Sequence, residues 1–110
     1  MIYTSYFAKA RRLRGRLVSI ALYPPRGMKV ESEPRLAPSR ELLRAYKAGE
    51  VDEAKYTEIF MRQLAKLDPI EIGRKLEGSI LLCYEGPGKF CHRHLVAEWL
   101  RKAGFRVVEI

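Results

Sequence analysis

The fold is decided by residues 79–110, which read SILLCYEGPGKFCHRHLVAEWLRKAGFRVVEI. Ser79 to Tyr84 form an almost continuous apolar run, which is typical of a strand covered on both faces. Cys91 begins a helical pattern that Gly104 ends, and Phe105 to Ile110 predict another strand. Strand, glycine-containing loop, helix and strand make a βαβ unit, so the sheet is at least partly parallel.

The upstream residues add two strands, a long loop and three helices to this unit. Ile2 to Phe7 and Arg16 to Leu22 carry β-branched and aromatic residues at the density of strands. The turn-rich residues 23–38 predict an exposed loop that is longer than a mere connection needs. Ser39, Asp52 and Asp68 precede helical patterns as capping residues, with Gly49 and Gly78 ending the first and third helices. The pattern therefore predicts a single α/β domain over residues 1–110.

The composition is that of a globular and basic protein. The chain has 110 residues, of which 47% are hydrophobic and 31% charged, and its formal net charge is +8. The longest apolar stretch is too short to span a bilayer, and no export signal is recognisable, so we expect a cytoplasmic protein with no membrane partner. The positive electrostatic field of such a protein attracts phosphates, nucleic acids or other anions. The composition indicates neither a cofactor nor an oligomeric state.

Both cysteines of the chain fall in the βαβ unit. Cys83 lies at the carboxyl end of the first strand and Cys91 at the amino end of the helix. Ligands of open α/β sheets bind outside the carboxyl ends of the strands, and a helix start adds unpaired N–H groups and partial positive charge. Helical spacing puts His92 on the buried face, Arg93 at its edge and His94 on the opposite side, with Ala97 also exposed.

These positions predict one pocket at the carboxyl end of the sheet. Arg26 and the proline loop around it would serve as its lid. Its expected lining consists of Cys83, Glu85, Cys91, His92 and Arg93.

Five interpretations of this cluster stay open on the residues alone. The residues could be purely structural, or the helix start with His92 and Arg93 could bind a phosphate or another anion. Cys91 could act as a nucleophile with His92 as its base. The cysteines could form a disulfide, or they could bind a metal. We predict no metal ligands, because the spacing lacks the short pairs of a zinc site and adjacent Cys and His rarely ligate one ion.

The sequence also bears on nucleic-acid binding and on other classes of enzyme. The stretch from Lys9 to Arg16 has five basic residues in eight and could bind nucleic acid, although a solvated crossover is the simpler interpretation. No phosphate-binding loop of the Walker type, dinucleotide fingerprint or serine nucleophile elbow is present. The helix start with Arg93, and Arg26 from the loop, predicts an anionic or nucleotide-like small molecule as the ligand. A thiol-dependent enzyme and a nucleic-acid binder are the alternatives.

The whole pattern resembles domain-of-unknown-function family 488. The resemblance rests on residues 81–85, on Phe90-Cys91-His92-Arg93-His94-Leu95 with Glu98-Trp99-Leu100, and on the start of the chain from Ile2 to Phe7. Leu36 to Ser39, Tyr56 and Leu67 to Pro69 extend it over nearly the full length. It implies a small three-layer α/β fold and supplies no reaction. The residues that mark the family are those that the geometry places at the strand-end pocket.

Overall fold

A computed structural model describes all residues from Met1 to Ile110. Five strands form one sheet, in the order β3-β2-β4-β1-β5, and every neighbouring pair is parallel. The strands are β1 (Ile2–Tyr6), β2 (Arg16–Ser19), β3 (Glu31–Ser32), β4 (Ser79–Cys83) and β5 (Val107–Glu109). The helices are α1 (Phe7–Ala10), α2 (Arg40–Lys47), α3 (Glu53–Leu64), α4 (Pro69–Leu76) and α5 (His92–Lys102), and Pro34–Leu36 form a 3-10 turn.

The central strand β4 explains why the sheet has helices on both faces. All five of its residues are buried, and alternation sends Leu81 to one face and Ile80 and Leu82 to the other. The larger core, which contains Leu81, lies under helices α2 to α5, and the smaller one contains residues of α1 and its adjoining loops. The three-layer α/β class is therefore confirmed.

The three predicted helix starts are confirmed by their caps. The side chains of Ser39 and Asp52 each accept a hydrogen bond from the backbone N–H three residues on, Leu42 for Ser39 and Lys55 for Asp52. Asp68 accepts from two such groups, with Pro69 in the first turn. Each cap satisfies N–H groups that have no partner inside the helix.

Several element boundaries differ from the sequence-based prediction. β1 ends at Tyr6 and β2 at Ser19, because the chain turns into α1 after the first and into a bend after the second. The predicted 23–38 loop contains the two-residue edge strand β3 and the 3-10 turn. Ala97, which was predicted to be exposed, is buried among the residues of the larger core, so the buried face of α5 is wider than predicted.

The parallel register brings several strand ends to one edge of the sheet. Tyr6 of β1 pairs with Cys83 of β4, and Ser19 of β2 pairs with Leu82. The N–H of Ile20 donates to the carbonyl of Leu82 at 3.0 Å, which extends this pairing past the end of β2. None of the helices is long and apolar enough to cross a bilayer.

Candidate functional site

A cavity of about 460 Å³ opens at the carboxyl edge of the sheet. Its walls are mostly apolar, and five of its lining residues are aromatic: Tyr23, Tyr46, Tyr56, Tyr84 and Phe90. The remaining lining residues are Ala21, Leu22, Pro38, Leu43, Lys47, Cys83, Glu85, Cys91 and His92. Volume, concavity and a few polar groups on an apolar wall are properties that ligand sites share.

Three of the aromatic rings pack against one another and form one wall. The ring centroids of Tyr46 and Tyr56 are 5.1 Å apart, those of Tyr56 and Phe90 5.2 Å, and those of Tyr46 and Phe90 5.7 Å. Burial raises the pKa of Tyr56, with the charge of Tyr46 as a smaller cause, so this phenol stays neutral at physiological pH. The sequence pattern does not indicate this wall, because the spacing of Tyr56 assigns it to the core face of a helix.

Two further tyrosines of the lining, Tyr23 and Tyr84, are exposed. Tyr84 is about half exposed, packs edge-on against Phe7, and its hydroxyl donates to the carbonyl of Tyr23. This contact attaches the start of the predicted proline loop to the cavity. Arg26, which was predicted to close the site with that loop, is exposed and is not among the lining residues.

Four of the five predicted lining residues surround the cavity, and Arg93 does not. Cys83, Cys91 and His92 are buried at 1%, 6% and 8% exposure, and Glu85 is exposed. Burial raises the pKa of Tyr46, and the charges of Glu53 and then Glu85 raise it further, which agrees with the place of Glu85 at the cavity.

Arg93 is fully buried and is not part of the cavity lining, and its guanidinium contacts groups from three parts of the chain. Its Nη2 donates to Oε2 of Glu109 at 2.8 Å, and its Nε is 3.1 Å from both carboxylate oxygens of that residue. Its Nη1 donates to Sγ of Cys83 at 3.1 Å and to the carbonyl of Glu85. The side chain therefore joins β4, the following loop and β5 instead of facing a ligand.

His92 is held as a neutral imidazole. Its Nε2 lies 2.6 Å from the carbonyl oxygen of Ile20, and because a carbonyl only accepts, Nε2 carries the hydrogen. Burial lowers its pKa to about 4, although the bond to Ile20 opposes this shift. The unprotonated Nδ1 faces Sγ of Cys91 at 3.9 Å. Such a weakly basic imidazole is poorly suited to take a proton from a thiol.

The two cysteines are joined as a disulfide, with their Cα atoms 7.3 Å apart. The disulfide was one of the interpretations left open by the sequence. Nη1 of Arg93 donates to Sγ of Cys83, so after reduction of the disulfide this guanidinium would stabilise the thiolate form of Cys83.

The basic stretch of residues 9–16 does not contribute to the cavity. Arg16 begins β2 at the opposite edge of the sheet, where it binds Glu31 through two hydrogen bonds and the carbonyl of Lys75 through a third. Arg11, Arg12 and Arg14 are exposed and have no ion-pair partner. A role in nucleic-acid binding stays a prediction.

The fold and the cavity together define a small parallel α/β protein with a strand-end site. The family model DUF488-N3a, described as the active DUF488-N3 subclade, matches residues 2–104. The chain therefore belongs to this family, which confirms the resemblance to family 488. No curated protein and no solved structure matches the chain significantly.

Proposed function

We propose that the protein binds a small nucleotide-like ligand, meaning a planar aromatic ring that carries an anionic group. The observation that supports this most directly is the aromatic cavity at the carboxyl edge of the sheet. Its volume of about 460 Å³ suits a single nucleotide-sized molecule. Stacking of a planar base on an aromatic side chain contributes about 1–3 kcal/mol and tolerates different bases.

The anionic part of the ligand has two sources of positive potential at the same cavity. Helix α5 begins at His92, and its first-turn N–H groups lack the usual partners of a helix interior. The N–H of His94 donates to the carbonyl of Cys91 at 3.1 Å, so the backbone N–H groups of His92 and Arg93 are the ones left for an anion. Lys47, at the end of α2, lines the cavity and is exposed. An anion between the helix start and an ammonium group gains from both the helix dipole and a charge-assisted hydrogen bond. The side chains of Arg93 and Arg26 are not needed in this arrangement.

The thiol-dependent reaction at Cys91 stays a prediction and is not the favoured one. It requires His92 to act as a base, and burial of the imidazole works against that role. The description of the family as active is compatible with either a reaction or binding at this cavity.

Isothermal titration calorimetry tests this proposal. The ligands are the four common nucleoside monophosphates, their nucleosides and inorganic phosphate. We expect at least one monophosphate to bind more tightly than its nucleoside and than phosphate alone. Tyr84→Ala should weaken that binding about 5- to 100-fold through the loss of stacking. Lys47→Ala should reduce the preference for the monophosphate over the nucleoside, whereas Lys66→Ala, an exposed lysine outside the cavity, serves as the matched control.

Two results would contradict the proposal. One is the absence of binding by any monophosphate at millimolar concentration. The other is binding that Lys47→Ala and Tyr84→Ala leave unchanged, since the ligand would then occupy a different surface.

A further inference from the structure

Three side chains of types that ligate metals meet in the lining of the cavity. Sγ of Cys83, Sγ of Cys91 and a ring nitrogen of His92 all lie within 4.8 Å of one another. All three residues are buried, and all three line the cavity. The cluster therefore combines a shielded position with a path along which an ion could enter.

The backbone explains how adjacent residues can point to one place. Cys91 has extended φ and ψ angles of −152° and 142° as the cap of α5, whereas His92 is the first residue of the helix. Because the chain changes direction between them, Sγ of Cys91 and Nδ1 of His92 come to 3.9 Å. Zinc with tetrahedral angles requires about 3.6 Å between such a sulfur and nitrogen, from bonds of about 2.3 and 2.05 Å. Adjacent Cys and His residues can therefore ligate one ion in this geometry, contrary to what their spacing in the sequence predicts.

His92 is already held as a metal-binding histidine would be. Nε2 donates to the carbonyl of Ile20, which fixes the ring orientation and leaves the lone pair of Nδ1 toward Sγ of Cys91. Histidines that bind metals almost always donate their other ring N–H to a backbone carbonyl or a carboxylate in this way.

The spacing of the cysteines and the surrounding charges also suit a cation. The Cα atoms of Cys83 and Cys91 are 7.3 Å apart, which is wider than the 4.4–6.8 Å usual for disulfides. Two thiolates balance a divalent cation. The neighbouring guanidinium of Arg93, which donates to Sγ of Cys83, is balanced separately by Glu109. A bound divalent ion would therefore leave the buried site without net charge.

We propose that the reduced protein binds one Zn²⁺ through Cys83, Cys91 and Nδ1 of His92, with the fourth position open to the cavity. Thiolate and imidazole ligands favour zinc over calcium and magnesium, and three protein ligands with an open position are typical of reactive zinc sites. This site does not depend on the nucleotide-like ligand proposed above.

Formation of the site requires reduction of the disulfide. A water-soluble phosphine supplies the two electrons: it breaks the S–S bond, becomes a phosphine oxide with oxygen from water, and leaves two thiols. Zn²⁺ then replaces both thiol protons, which are released to the buffer. Zinc binding should accordingly become tighter as the pH rises.

The first experiment measures zinc on the full chain. Protein reduced anaerobically with the phosphine is mixed with excess Zn²⁺ and desalted, and the metal content is determined by elemental analysis. We expect about one zinc per chain, and a competing chromophoric chelator gives the affinity. His92→Asn should weaken binding at least about 100-fold, since loss of a supporting hydrogen bond alone commonly costs 10- to 100-fold. His94→Asn, the exposed histidine two positions on, is the matched control and should bind as the wild type does.

The second experiment needs no variant and remains decisive if the substitutions prevent folding. Co²⁺ added to the reduced wild type should give the ultraviolet charge-transfer bands of thiolate ligation and the visible bands of tetrahedral cobalt. Zn²⁺ should displace it and protect both thiols from alkylation. Any of three results would overturn the proposal. The desalted wild type could contain no zinc, or the cobalt complex could lack the thiolate bands. A folded His92→Asn variant could also bind zinc with wild-type affinity.

Discussion

Replacing Glu109 by Gln removes the counter-charge of a fully buried arginine. The side chain of Arg93 has 0% exposure, and Glu109 provides the one carboxylate that its guanidinium contacts. Loss of one partner from a buried ion pair usually costs about 3–5 kcal/mol, because the other charge stays buried without compensation. The Glu109 side chain is 36% exposed, and Gln keeps one acceptor oxygen, so we expect a smaller loss of about 2–3 kcal/mol.

Urea denaturation at pH 7, followed by circular dichroism, measures this free energy of unfolding. Glu98→Gln is the matched control, because Glu98 forms an exposed ion pair with Arg101 and should lose less than about 0.5 kcal/mol. A loss for Glu109→Gln within about 0.5 kcal/mol of this control would show that the charge of Glu109 does not stabilise the buried Arg93. The double variant Arg93→Met with Glu109→Gln should lose less than the sum of the two single variants, because no unpaired charge then remains.

The difference in the free energy of unfolding between wild type and Glu109→Gln should also depend on pH. Burial opposes ionisation of Glu109, but hydrogen bonds from Arg93 and Thr4 outweigh it and lower its pKa below 4.5. A carboxyl whose pKa is lower in the folded state stabilises the fold above its unfolded pKa, and this contribution is lost as the pH falls through the folded pKa. The difference in stability between wild type and Glu109→Gln should therefore shrink below about pH 4.

The remaining predictions concern packing and capping, and the same urea assay measures both. Gly73→Ala should destabilise the protein by about 1–3 kcal/mol despite the better helix propensity of Ala, because a Cβ at position 73 would come 2.2 Å from the ring of Phe105; equal or higher stability would contradict this close packing. Asp68→Ala should cost about 1 kcal/mol through the loss of the cap of α4, whereas Asp68→Asn, which keeps the acceptor, should be nearly neutral.

Elements specified by local chemistry were predictable from the sequence. The run from Ser79 to Cys83 is apolar at almost every position because both faces of β4 are covered, and the caps of α2 to α4 satisfy N–H groups within a few residues. The small strand β3 carries no such signal, since Glu31 and Ser32 are both exposed. Its pairing depends on β2, through the N–H of Glu33 to the carbonyl of Ser19 at 2.9 Å.

The location of the candidate site was predictable, but its walls were not. A strand end followed by a helix start identifies an edge of the sheet, which led to Cys83, Cys91 and His92. Tyr46 and Phe90 come from α2 and from the loop before α5, and their contact with Tyr56 depends on how α2 and α3 pack. Aromatic residues at the facing ends of two consecutive helices were the available signal, and helical periodicity alone assigns them to the core.

Arg93 shows why an arginine at a helix start need not be a ligand-binding residue. Its position suits an anion, but β5 lies beside β1 and brings Glu109 to the guanidinium, a pairing across 16 residues that local patterns do not reveal. The same side chain donates hydrogen bonds to the carbonyl of Glu85 and to Sγ of Cys83. A substitution at Arg93 therefore changes stability, the loop after β4 and the environment of a cysteine together. Because weaker ligand binding by such a variant would have three explanations, Lys47 and Tyr84, which are exposed at the cavity, are the residues that separate binding from folding.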